Sequence, residues 1–379
     1  MSLAMGVQVA GASFIWPLNA IYVHEVLGKS LTTAGILLFF NAGAGALGSL
    51  VGGRAFDRWG HRPILLGGAF VAVLTALAMA LFPSFLLYGV LLTFFGFGTG
   101  LIYPAMYALA GILWPEGGRR AFAAVYVAAN AGVAAGTAAA GFVASIGFQW
   151  SFTASSLFFA AFMLMVAYSF RGGRFGRRGQ ADVPAVGEGI AWNRSLFLLS
   201  LGFFLAWSVY VQWQTTIATF LQASGYSLSQ YSLLWTLNGG LILVGQPLLN
   251  HLWRGDHLRR QMLLGIGLYG VVFALLGFSL SYGGYVFLMG LMTVGEIMVW
   301  PAVPAAAQSL APKGQEGAYQ GAVGSAASLG RMVGPLLGGW IYDTFPWKVL
   351  SFSMVGLLLV SLWIFSRIEL RERRVPLSS

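Results

Sequence analysis

Stretches of about twenty or more mostly apolar residues, bounded by charge, proline or glycine clusters, recur twelve times along the chain. They lie near residues 3–24, 31–53, 63–82, 85–113, 120–146, 150–170, 195–221, 228–252, 261–281, 284–311, 317–342 and 346–366. A helix of about twenty residues crosses the roughly 30 Å hydrocarbon core of a bilayer. The pattern therefore predicts an all-α integral membrane protein with twelve transmembrane helices. The longest polar interruption, rich in Gly and Arg, runs from Arg171 to Arg194 and separates six spans from six. It divides the chain into an N-terminal six-helix bundle (1–170), a linker (171–194), a C-terminal six-helix bundle (195–366) and a tail (367–379). The first stretch has no basic start and is followed by eleven more, so it reads as a span and not as a secretory signal.

Repetition supports the division. Tyr103-Pro104-Ala105 and Pro115 recur 197 residues later as Trp300-Pro301-Ala302 and Pro312. Arg62 and Gly67 recur 198 later as Arg260 and Gly265, and Gly132, Gly136 and Gly141 as Gly330, Gly334 and Gly339. An ordered series at a nearly constant offset predicts two pseudo-symmetric, homologous halves.

Composition narrows the class. Of 379 residues, 58% are hydrophobic and 8% charged, against about 25% charged in an ordinary soluble domain. A soluble enzyme is excluded, and twelve spans leave no room for a soluble domain. The formal charge of +10 is too dispersed to build the continuous basic face that nucleic acid requires. It reads instead as orientation. Alternate connectors and the tail hold 18 of the 21 Lys and Arg residues, while the opposite set holds only Lys29 and Lys348, which predicts a multi-pass cell-membrane protein with both termini and the linker cytoplasmic. No Cys is present and the four His lie near helix ends or in connectors, so no metal site and no cofactor are expected. Leu27-Gly28-Lys29-Ser30 ends like a phosphate-binding loop, but Val23 stands where that motif needs its first Gly, so ATP-driven pumping by this chain is not expected.

Two charges fall inside spans. Glu296 is the one acid deep in a span and lies near the bilayer midplane; Arg331 lies at similar depth in the eleventh. A charge there costs roughly 2.5 to 3.5 kcal/mol on insertion scales, so neither is an ordinary lipid-facing residue. Glu296 has two readings, a proton- or cation-binding carboxylate or half of a static ion pair, and Arg331 is the obvious partner. In the seventh span Ser208, Gln212, Thr215 and Thr219 follow α-helical spacing on one face. With Asn19, Tyr103, Asn130, Asn238 and Trp300 they are candidate lining for a substrate cavity. Asn41 and the rings of Trp16, Trp207, Trp213 and Trp235 add to it. Rings with one acid suit an amphipathic, cationic substrate.

The connector after the second span reads Gly53-Arg54-Ala55-Phe56-Asp57-Arg58-Trp59-Gly60-His61-Arg62. It resembles the Gly-x-x-x-Asp-Arg-x-Gly-Arg-Arg loop of the major facilitator superfamily, with His61 replacing one Arg. The eleventh span, Gly330-Arg331-Met332-Val333-Gly334-Pro335-Leu336-Leu337-Gly338, resembles the Gly-x-x-x-Gly-Pro-x-x-x-Gly motif of that superfamily's drug:proton antiporters. Those antiporters carry it in the fifth span, where this chain has Thr137 in place of Pro. Gly295-Glu296 followed by Pro301 is similar to a motif of multidrug-exporter branches. In the fourth span Leu92 stands where drug exporters often have an Arg. The resemblance implies a monomeric secondary transporter working by alternating access, with proton-coupled export of amphipathic drugs or small metabolites as the leading reading. It implies that Gly53, Asp57, Arg58, Gly60 and Arg62 gate the cytoplasmic side, that Glu296 and Arg331 couple protons, and that Gly330, Gly334, Pro335 and Gly338 pack helices. A sugar or amino-acid facilitator, a lysolipid flippase and a transport-incompetent membrane sensor are the alternatives.

Overall fold

The computed structural model describes residues 1–29, 31–169, 192–252, 257–278 and 281–370; most of the predicted linker and tail, and Trp253 and Arg254, lie outside them. No strand occurs among the described residues. Twelve helical segments follow in order: α1 (Ser2–Ser13), α2 (Leu31–Trp59), α3 (His61–Leu81), α4 (Phe85–Leu113), α5 (Arg119–Ile146) and α6 (Phe148–Ser169), then α7 (Arg194–Ala223), α8 (Leu228–Leu252), α9 (Leu258–Leu276), α10 (Tyr282–Leu310), α11 (Glu316–Thr344) and α12 (Trp347–Ser366). Ten of these are long and apolar enough to cross a membrane. The other two are α1, which breaks into short turns over Trp16–Leu18, Asn19–Ile21 and Tyr22–Val26, and α11, which carries Glu316, Arg331 and Asp343 among small residues.

Helix boundaries follow the breakers. Pro17 lacks the N–H that α1 needs to continue. After Gly53, which the helix absorbs, the predicted connector at 53–62 contains no Gly or Pro before Gly60, and α2 accordingly runs on through Asp57 to Trp59. Gly60, at φ 84°, makes the turn into α3. α7 is interrupted by a 3-10 turn at Val211–Gln214 before resuming at Thr216. There the Gln212 amide and the Thr215 hydroxyl donate to the Ser208 and Val211 carbonyls, competing with main-chain donors for the same acceptors. α4, α8, α10 and α11 carry internal prolines, each freeing the carbonyl four residues earlier for another donor.

The chain forms two compact units. One comprises residues Met1–Glu116, Ala124–Ala191 and Ala311–Ser328, the other Gly117–Ala123, Trp192–Leu310 and Leu329–Ser379. In the first, α2 and α3 pack on α4, and α6 packs on α1 and α3; in the second, α8 and α9 pack on α10, and α12 packs on α7 and α9. The same pairs recur.

The repeat holds at the level of atoms. A Cβ on Gly68 would meet the Gly98 carbonyl and Ile102; one on Gly265 would meet the Gly295 carbonyl and Val299. All three pairs are 197 residues apart. The match of Gly67 with Gly265 read from sequence is thus one residue out of register, for Gly67 has nothing within 4 Å. A Cβ on Gly132 would meet Gly6 and Ala10, and one on Gly330 would meet Phe204 and Ser208, here 198 apart. Helix pairs this close depend on the missing side chains.

Candidate functional site

Three polar clusters are placed by these helices, each within one unit. The first lies at the end of α2. Asp57 Oδ1 accepts from the Gly317 N–H and Oδ2 from the Ala318 N–H, both at 2.7 Å. These N–H groups belong to the first turn of α11, which has no intrahelical acceptors for them, and a carboxylate there also meets the positive end of the helix. Gly53 makes the approach possible, since a Cβ on it would collide with the Gly317 carbonyl. Of the other residues of this motif, Arg58 is exposed, Gly60 turns the chain and Arg62 Nη2 donates to the Ala167 carbonyl at 3.4 Å.

The second cluster was invisible as such in the sequence, where Arg119 counted only toward orientation. Arg119 is 4% exposed. Its Nη1 donates to Asn250 Oδ1 at 2.5 Å and its Nη2 to the Ile297 carbonyl at 2.7 Å. That carbonyl stands four residues before Pro301 and so has no helical donor. In the amide orientation that satisfies both its ends, Gln246 donates to the same carbonyl and accepts from Arg119 Nη2, both at 3.0 Å. The first half has the equivalent in neutral form: Pro104 frees the Gly100 carbonyl, which accepts from Ser49 Oγ at 3.3 Å. Ser49 and Gln246 are 197 residues apart, as are Gly53 and Asn250, while Arg119 is 198 before Gly317. The Arg119–Asn250 contact is therefore the repeat of the Gly53–Gly317 contact, with side chains in place of the bare backbone approach, a signal that the offset alone could have supplied.

The third cluster surrounds Glu296, the fifteenth of the 29 residues of α10 and 3% exposed. Tyr210 Oη of α7 donates to Oε1 at 3.1 Å, and Asn238 Nδ2 of α8 to Oε2 at 2.7 Å; the Asn238 amide also donates to Thr293 Oγ1 at 2.9 Å. Beside it stand the rings of Trp207 and Trp300, stacked at 4.9 Å with planes 8° apart, with Phe203, Tyr210 and Tyr269 edge-on to Trp300. Arg331, the sixteenth of 29 residues of α11, sets its guanidinium 4.8 Å from the Trp207 ring centroid. It is exposed, unlike Glu296. Asn238 and Trp300 are thus brought to Glu296 as candidate lining.

The remaining predicted residues disperse. Ser208 and Gln212 are buried along the seam between α7 and α11: Gln212 Nε2 donates to the Gly334 carbonyl at 2.8 Å, and Cβ atoms on Gly330, Gly334 and Gly338 would strike Trp207, Ser208 and Gln212. Pro335 follows Gly334 on this helix. The stripe does not continue as one α-helical face, because the 3-10 turn intervenes; Thr215 and Thr219 donate back to Val211 and Thr215. Asn19 accepts from Tyr88 Oη, Asn130 donates to the Tyr126 carbonyl, Asn41 donates to the Leu92 carbonyl, and Tyr103 is half-buried.

Buried carboxylate, mid-helix aromatics and paired six-helix packing are the parts of a membrane transporter. The family profile described as Major Facilitator Superfamily matches residues 1–254 and 225–378, and the chain belongs to that superfamily. It is 44% identical over 365 residues to the uncharacterized MFS-type transporter YttB of Bacillus subtilis (strain 168), covering 95% of this chain and 92% of that one. A 31% match over 176 residues, 44% of this chain and 42% of the other, is to the multi-drug resistance efflux pump PmrA homolog of Lactococcus lactis subsp. lactis (strain IL1403). The crystal structure of the human organic anion transporter MFSD10 shares the fold, with a TM-score of 0.78 at 16% identity over 96% of this chain and 97% of that one.

Proposed function

We propose that this transporter is a monomeric proton-coupled exporter of amphipathic small molecules, set in the cell membrane with both termini cytoplasmic. The observation that carries the reading is the environment of Glu296. A carboxylate buried at the midpoint of a helix is costly as an ion, and here hydrogen-bond donors from two other helices, Tyr210 and Asn238, meet its two oxygens. Taking up a proton removes the charge these donors stabilise, so the protonation state of one group is coupled to the contacts of α7, α8 and α10. In alternating access, such a group loads a proton facing one side and releases it facing the other. Asp57 on the first turn of α11 acts as the cytoplasmic latch of that cycle. The partial match to an efflux pump supports the outward direction.

The test is proton-gradient-driven flux of amphipathic aromatic dyes in vesicles, comparing the parent chain with Glu296→Gln. Gln keeps the size and much of the hydrogen bonding but cannot exchange a proton. Gradient-driven flux is expected to fall at least about tenfold while counterflow down a dye gradient persists. Equal gradient-driven flux in parent and variant assigns the coupling to another group.

A further inference from the structure

We propose that Tyr269 of α9 is the hydrogen-bond partner of Glu296 in its protonated form, so that proton uptake turns the acid from α7 and α8 toward α9. The inference rests on the proton-coupling reading above and names a further positioning residue of the same site.

Tyr269 is fully buried. A Cβ on Gly295 would stand 2.9 Å from its Cδ1 and Cε1, so the glycine before Glu296 is what admits the ring. An edge-on contact with Trp300 at 5.8 Å and a tilted one with Tyr210 at 6.3 Å hold it among the residues that surround the acid. The hydroxyl nevertheless has no hydrogen-bond partner among the described residues. Burying a hydroxyl in that state is costly, and packing does not demand it. By the 197-residue offset its place is taken in the first half by Ala72, which is also fully buried, where α3 meets α4.

The chemistry of Glu296 supplies the missing partner. As a carboxylate it only accepts, and Tyr210 and Asn238 donate to its two oxygens. A proton turns one of those oxygens into a donor that needs an acceptor. The Asn238 NH2 can only donate, and the Tyr210 hydroxyl is already directed at the acid as a donor. The Tyr269 oxygen has its lone pairs unused and lies close enough for the Glu296 charge to act on it. The other titratable or charged groups about the site are Tyr231 of α8, which stands beyond Tyr210 and donates to the Trp213 carbonyl, and Arg331 of α11, whose guanidinium lies on the Trp207 ring. Phenols and guanidinium groups keep their charge state where a carboxylic acid titrates, so Glu296 is the group that changes.

The test reads Glu296 directly. Infrared spectra of the purified full chain separate the C=O stretch of a protonated carboxylic acid from that of a carboxylate, and comparison with Glu296→Gln assigns the Glu296 band. Tyr269→Phe keeps the ring on Gly295 and removes only the hydroxyl. It should hold the Glu296 proton about tenfold more weakly, a titration midpoint about one pH unit lower. Above that midpoint its unfolding temperature should equal or exceed the parent's, because the hydroxyl makes no bond to the charged acid; a residue that merely packs would lower stability at every pH and leave the midpoint in place. If Tyr269→Phe does not fold, 3-fluorotyrosine placed at position 269 replaces it: its fluorine resonance should follow the Glu296 titration and cease to do so in Glu296→Gln. Proton affinity within about threefold of the parent's, or a fluorine resonance indifferent to the titration, would overturn the inference. A Glu296 band that never titrates in the folded parent would overturn it together with the exporter reading. Flux separates the two otherwise. A midpoint moved by Tyr269→Phe in a chain whose flux ignores the proton gradient upholds Tyr269 and removes the exporter; an unmoved midpoint with gradient-driven flux lost in Glu296→Gln does the reverse.

Discussion

Replacing Asp57 by Asn tests whether the contact between α2 and α11 is a latch. The carboxylate accepts two backbone N–H groups at 2.7 Å, short for N–H···O bonds, as expected when the acceptor is charged. Asn keeps one acceptor oxygen and turns an NH2 toward the other N–H. One charge-assisted bond, worth about 1.5 to 3 kcal/mol, is lost, and the survivor becomes neutral. Loss of the charge at the helix N-terminus removes a further 0.3 to 1 kcal/mol or so. Burial raises the Asp57 carboxyl to about 7 against the two N–H bonds that lower it, so the comparison is made above about pH 8, where the carboxylate is ionised; there relief of the burial cost offsets part of the loss, leaving about 2 kcal/mol, or roughly thirtyfold in the equilibrium between closed and open forms. The chain has no Cys, so Ser49→Cys gives a unique reporter. Ser49 is 2% exposed and lies under Gly321 and Gly324 of α11. Its reaction with a maleimide should run about thirtyfold faster in the Asp57→Asn background. Rates equal within about threefold would refute the latch.

The glycine contacts predict paired outcomes. Gly334→Ala places a Cβ 2.7 Å from the Ser208 carbonyl and should cost about 1 to 3 kcal/mol, read as a lower unfolding midpoint in detergent, whereas Gly339→Ala meets nothing within 4 Å and should be neutral. Gly136→Ala and Gly141→Ala should repeat that contrast in the first half. Arg119→Gln and Pro301→Ala should be non-additive by about 1 kcal/mol in a double-mutant cycle, because the substituted alanine supplies the main-chain donor that makes Arg119 less necessary to the Ile297 carbonyl; strict additivity would disprove that role for the proline.

Much of the fold was legible because hydrophobic runs report helices directly, and the glycine series reported the repeat because close helix contacts tolerate only small residues. The boundary of α2 was misplaced because charge marks a membrane edge but does not end a helix, and only Gly60 ends this one. Half of the candidate site was legible. Glu296 and Arg331 stood out by their cost in a membrane, yet which of them is exposed depends on packing among α7, α8 and α10, which no local pattern encodes. Gln212 shows the same limit. Its spacing marked a polar face, but its amide closes the α7–α11 seam. Arg119 was hidden by an alternative explanation: every basic connector residue satisfies the positive-inside rule, and burial alone distinguishes this one.

The repeat also shows where the two halves diverge. Gly98 and Gly295 contact Gly68 and Gly265 in the same way, and the Pro104- and Pro301-freed carbonyls are both taken by side chains. At positions equivalent by the same offsets, however, Glu296 corresponds to Thr99, Trp207 to Val9, Tyr210 to Ala12 and Arg331 to Val133. Thr99 donates only along its own helix, to the Phe95 and Gly96 carbonyls. Asn41 and Asn238 are equivalent too, yet Asn41 holds the Leu92 carbonyl while Asn238 holds Glu296. Packing alone would permit a neutral residue at each of these sites in the second half, as the first half demonstrates. The charge and the stacked rings concentrated in the second half therefore exceed what the scaffold requires, and their cost within a membrane is intelligible if they handle protons and substrate.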